Sequence, residues 1–194
     1  MDAAALIKEM EQEFPAFRIV YKRQSAFSAL LDRLLRLITL GGQDRFLTEY
    51  YTVIGETLYV PDSWDTLPDV DRRILLRHER VHLRQKRRYT FLGMAFLYLI
   101  PWFPLGLAYG RARLEWEAYA ETLLATAELK GLEAAQSHAL RDHIVGRFIG
   151  PDYGWMWPFR SAVERWWRAT LQDIERLHPT ASDRARSASA NQPE

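Results

Sequence analysis

An α+β fold, mostly helical with a small antiparallel sheet, is predicted from three features of the 194-residue sequence. Residues 50–60 (YYTVIGETLYV) are β-branched and aromatic around a central Gly55-Glu56. That pattern predicts a hairpin with Gly at the first turn position. Several longer stretches carry apolar residues at helical rather than alternating spacing. A hydrophobic content of 48% over this length suffices for one good core, so a single domain over residues 1–178 is expected.

The elements follow in order. Residues 17–22 (FRIVYK) suit a short strand. Residues 25–40 read as an amphipathic helix, with Phe27, Leu30, Leu31, Leu34, Leu35 and Ile38 on one face and Gly41-Gly42 as its C-terminal stop. Pro61 ends the hairpin strand. Residues 68–89 form a helix with Asp69 or Asp71 near its start, and residues 111–129 and 132–148 form two more. Residues 150–158 (GPDYGWMWP) are a Gly- and Pro-punctuated loop. A last amphipathic helix spans residues 159–177, with Phe159, Val163, Trp166, Trp167, Leu171 and Ile174 recurring at its spacing. Residues 179–194 have no periodicity and are expected to be a disordered tail.

Composition narrows the function classes. The net charge of +1 indicates no polyanionic partner. With no Cys, neither a disulfide framework nor a thiolate metal site is possible. The acidic N-terminus lacks the apolar run of a secretory signal, which suits a cytoplasmic protein.

The chemistry lies in His78-Glu79-Arg80-Val81-His82. Two His four residues apart on a helix present both imidazoles on one face, one turn apart, where a single ion can bridge them. Glu79 is placed to reach a water on that ion. A catalytic zinc needs a third protein ligand and an open position. Two Glu on the next helix are candidates, Glu115 and Glu117. They lie about 200° apart around a helix, so only one can face the ion. The bland alternative is a chance pair of His on a solvated basic helix, with Glu115 and Glu117 as surface residues.

Here the sequence resembles the gluzincin-type zinc peptidases, in which HExxH on one helix is completed by a Glu on the next. The run from His78 to Gln85 also matches the HExxHxxQ pattern of small peptidases of this kind. The second motif, Glu-x-x-Ala-Asp in such groups, is matched by Glu115 and Ala118, with Tyr119 where Asp usually stands. The resemblance covers residues 53–127. It implies a zincin-like domain with zinc between two helices, Glu115 favoured as third ligand over Glu117, and the orienting of a ligand by a hydrogen bond from behind, which Tyr119 must supply or leave to another residue. It also implies that the hairpin over residues 50–60 holds extended substrate.

The expected reaction is zinc-assisted hydrolysis of a peptide or protein substrate, with Glu79 as general base. Tyr119, His143 and Tyr153 are candidates to steady the oxyanion. Each has an ordinary explanation as a core or helix-face residue.

Residues 91–109 carry no charge and are long enough to span a bilayer, but Pro101 and Pro104 argue against one straight helix. Both flanks are basic, with Lys86-Arg87-Arg88 before and Arg111 and Arg113 after. Two readings follow: an interfacial hairpin touching the membrane surface, or a buried hairpin linking the two motif helices. Either predicts two short helical pieces broken at residues 101–104 with both ends on one side. The basic run could instead serve a DNA-associated HExxH protease, though no stacking platform for nucleic acid accompanies it. A third class is an inactive metal-binding or interaction domain, against which the retained Glu79 speaks.

Overall fold

The computed structural model describes residues 2–24, 51–99, 108–150 and 156–177, with the backbone alone at residues 90–92 and 94–99. The chain begins with helix α1 (Ala3–Glu13), started by Asp2, whose side chain accepts from the Ala5 N–H at 2.8 Å. Leu6, Met10 and Phe14, four residues apart, bury one face of this segment. Strand β1 (Arg18–Tyr21) follows, then β2 (Thr52–Ile54) and β3 (Thr57–Val60). The strand order is β1-β3-β2.

The β2–β3 pair is the expected antiparallel hairpin, with Val53 opposite Leu58 and Gly55 at φ +66° in the turn. That left-handed conformation suits glycine. The sheet as a whole is mixed, not antiparallel, because β1 runs parallel to β3 with Ile19 opposite Leu58. Strand β1 reaches β3 through a crossover and has no tight turn with it, which permits the parallel pairing.

Five helices complete the described chain: α2 (Asp69–Leu99), α3 (Tyr109–Lys130), α4 (Leu132–Ala135), α5 (His138–Ile149) and α6 (Arg160–Leu177). Helix α2 runs ten residues past its expected end at Tyr89. The stretch from Thr90 to Leu99 holds no proline and a single glycine, so nothing in it stops the helix. The first half of the apolar segment is therefore the end of the motif helix rather than a separate short piece. The expected break at residues 101–104 lies outside the described residues, as do the helix over 25–40 with its Gly41-Gly42 stop, Tyr153 and the tail. The single helix expected over 132–148 is two, divided where the Ser137 side chain accepts from the Leu140 N–H and caps α5. Phe159 precedes α6 and is exposed rather than part of its buried stripe.

Helices α2 and α3 are antiparallel neighbours. Asp71 pairs with Lys130, His78 meets Thr122, and Gln85 meets Leu114, so positions rising along α2 fall along α3. One apolar cluster joins α1, the sheet and α2 through Met10, Phe14, Leu58, Val60, Leu76 and Leu83. The other joins α3, α5 and α6 through Leu123, Ile144, Phe148, Val163 and Trp167. The α2–α3 seam lies between these two clusters, and His78 and His82 face it. Among the described residues no helix is long and apolar enough to cross a membrane.

Candidate metal centre

His78 and His82 stand one turn apart on α2, with their Nε2 atoms 3.2 Å from each other. Glu115 on α3 brings Oε2 to 3.7 Å from His82 Nε2 and 4.0 Å from His78 Nε2. Among the described residues, these three form the group of His and carboxylate side chains able to share one ion. In the plane of the three atoms, the point equidistant from them lies about 2.1 Å from each, which is the length of a Zn–N or Zn–O bond. All three side chains are nearly withdrawn from solvent, with Glu115 only 5% exposed.

The hydrogen bonds behind the rings fix which nitrogens are free to ligate. Gln85 Nε2 donates to the Leu114 carbonyl and to Glu117 Oε2, each at 2.9 Å. Its Oε1 therefore faces His82 Nδ1, 3.0 Å away, and that nitrogen carries the proton. The Thr122 hydroxyl donates to the Ala118 carbonyl at 3.2 Å, so it accepts from His78 Nδ1 at 2.9 Å. With both Nδ1 atoms protonated, both Nε2 lone pairs and a carboxylate oxygen converge on one point. Three electron-pair donors so arranged suit a cation. Burial, reinforced by the neighbouring His82, holds the His78 pKa well below its ordinary value, which keeps the ring neutral and able to ligate.

Glu117 is not in the cluster; its carboxylate is the partner of Gln85. Tyr119 lies beside His78. Its ring stands edge-on to His78 with centroids 4.9 Å apart and is itself packed by Phe148. Thr122, one turn further along α3, holds His78 Nδ1. His143 lies on the exposed side of α5 and is outside the metal-ligand group. Neither Thr122 nor Glu117 was marked as a partner to a ligand by the sequence pattern, though both lie within seven residues of Glu115 on the same helix.

Glu79 is buried beside the ligands, 6% exposed. Burial pushes its carboxyl up to about 7; the charge of Glu115 adds to this, while His82 and Lys22 pull the other way. Lys22, itself 1% exposed, donates to Thr52 Oγ1 at 3.2 Å and so ties the start of the hairpin to the region of Glu79. No local signal distinguishes this lysine from any strand-end cation. Arg77, next to His78, binds Glu121 at 2.5 Å and also Glu128, joining α2 to α3 on the flank of the ligands. No protein-family model, curated protein or solved structure matches the chain.

Proposed function

We propose that this chain is a zinc-dependent metallopeptidase with a zincin-like arrangement of its two motif helices. His78, His82 and Glu115 would hold the ion. The observation that carries this reading is the convergence of the two Nε2 atoms and Glu115 Oε2 around a point at zinc bond length from all three. A structural zinc site closes with four protein ligands, whereas three ligands leave a position for water and substrate. When bound, zinc supplies Lewis acidity that activates water and polarises a carbonyl. Glu79 then takes the proton of the attacking water and passes it to the leaving amine. Its raised pKa matches both halves of that task near neutral pH.

The basic run on α2 is largely committed within the protein, which weighs against the nucleic-acid alternative. Arg80 and Arg84 both bind Glu13, Lys86 lies 3.8 Å from Glu56, and Arg87 stacks on Phe14.

Protein purified without chelator should contain one zinc per chain by elemental analysis, and His82→Ala and Glu115→Gln should both lose it. No stoichiometric metal in the wild-type protein would overturn the reading. The hydrogen bond behind His78 makes a finer expectation. Thr122→Val should weaken zinc binding about 10- to 100-fold in competition with a chromophoric chelator, while Thr122→Ser retains affinity. Equal affinity for the Val variant would show that Thr122 does not orient the ligand.

A further inference from the structure

We propose that the end of the α2–α3 pair docks on the surface of an anionic lipid bilayer. The register of the pair carries the first step. Gln85 of α2 meets Leu114 of α3, so the antiparallel alignment sets Tyr109, where α3 begins, beside about residue 90 of α2. Helix α2 continues to Leu99. Nine residues of uncharged sequence (FLGMAFLYL) therefore extend ~13 Å beyond the start of α3 at 1.5 Å per residue. That reach is less than half the ~30 Å of a hydrocarbon core, and it suits insertion into one interface.

An aromatic collar stands at the same level. Tyr109 and Trp157 pack with ring centroids 5.2 Å apart, and Trp157 and Phe159 at 5.1 Å. Tyr109 is 53% exposed and Phe159 49%. The collar is pinned to α3 by the Ala108 N–H, which donates to the Met156 carbonyl at 3.1 Å. Amphipathic rings exposed beside an apolar extension are what a membrane interface accommodates.

Charge selects the occupant. Between Glu79 and Glu115 the chain has seven Lys and Arg and no acidic residue. Of these, Arg84, Arg87, Arg88 and Arg113 are exposed, with Arg84 paired to Glu13 and Arg87 over the Phe14 ring. The same register puts Arg88 and Arg113 two to four residues, ~3–6 Å, behind the level of Tyr109. A cationic ring behind an aromatic one matches the phosphate layer of an anionic leaflet above its acyl boundary. A second copy of the chain would bring this ring against its own like charge.

The test is flotation of the full chain with vesicles of phosphatidylcholine alone and of phosphatidylcholine mixed with phosphatidylglycerol. The protein is expected to float with the mixed vesicles, more weakly with the neutral ones, and less as salt rises. Arg88→Gln with Arg113→Gln should weaken binding to the mixed vesicles about 30-fold. Tyr109→Ser with Phe159→Ser should reduce binding to both kinds. All four positions are exposed, so thermal melting should report folded variants. Wild-type protein that stays at the bottom of both gradients overturns the proposal. So does flotation that neither variant changes, or a dimer in sedimentation that the Tyr109 and Phe159 variant dissolves while vesicles leave it intact. Zinc content plays no part in the readout, so failure here leaves the peptidase reading to its own test.

Discussion

Replacing Glu79 by Gln should remove peptide hydrolysis while leaving zinc content and fold unchanged. Glutamine has nearly the same volume, so the buried pocket on α2 loses no packing. The side chain does not contribute to the ligand triangle formed by His78, His82 and Glu115. An amide cannot accept the proton of the attacking water or return it to the leaving amine, and a positioned general base contributes about 10²- to 10⁴-fold to rate. The expected result is a fall of that size in turnover at equal zinc occupancy, measured on a peptide substrate found by screening peptide mixtures with mass spectrometry. A Gln variant that cleaves as fast as the wild type would remove Glu79 from the mechanism. If zinc were lost as well, its role would be in assembling the site rather than in proton transfer. The rate should rise with pH through the ionisation of Glu79 in the wild type, since only the carboxylate is a base.

The parts of this molecule that could be read from its sequence are those set by local spacing. His78 and His82 reveal themselves because a helical period of 3.6 residues places them one above the other. The β2–β3 hairpin is visible because Gly55 sits between β-branched runs. Helix α6 shows its stripe of Val163, Trp167, Leu171 and Ile174, all buried. What escaped depends on partners distant in sequence. The parallel pairing of β1 with β3 joins residues 39 apart, Arg18 with Thr57, and no local pattern encodes its direction. Lys22 resembles an ordinary solvated cation until folding buries it near Thr52 and Glu79. Thr122 carries no local signal of its contact with His78. The antiparallel packing of α3 on α2 brings the Thr122 hydroxyl to His78 Nδ1, one turn beyond Tyr119, whose ring packs beside His78. Helix α1 did have a local signal, in Asp2 and the spacing of Leu6, Met10 and Phe14. Its interruption by Lys8, Glu9 and Glu11 masks a narrow apolar face.

Glu79 should make a contribution to the stability of the metal-free protein that is lost as pH rises from about 4.5 to about 7, and Glu79→Gln should remove that dependence. An ordinary Glu titrates near 4.5, and burial raises the folded-state value of Glu79 to about 7. Between those values the folded chain holds a proton at this site that the unfolded chain has released. The contribution of this site to stability therefore falls with rising pH across that window. Below it the carboxyl is neutral in both states and costs nothing. Above it the folded protein bears a buried carboxylate, at a cost of ~3 kcal/mol for a displacement of this size. Burial depresses the His78 pKa, which acts in the opposite sense: its contribution weakens as pH falls below about 6.5, when the unfolded chain takes up the proton first. That effect is common to the wild type and the Gln variant, so the difference between the two isolates Glu79. Urea denaturation in the presence of a chelator should give nearly equal stabilities at pH 4.5. At pH 8 the Gln variant should be more stable by ~3 kcal/mol. Adding zinc at pH 8 should narrow the gap, because a nearby cation favours the carboxylate. Superimposed denaturation curves for the two chelated proteins at pH 8 would mean that the Glu79 carboxylate is solvated in the folded state, and its assignment as a buried base would fall.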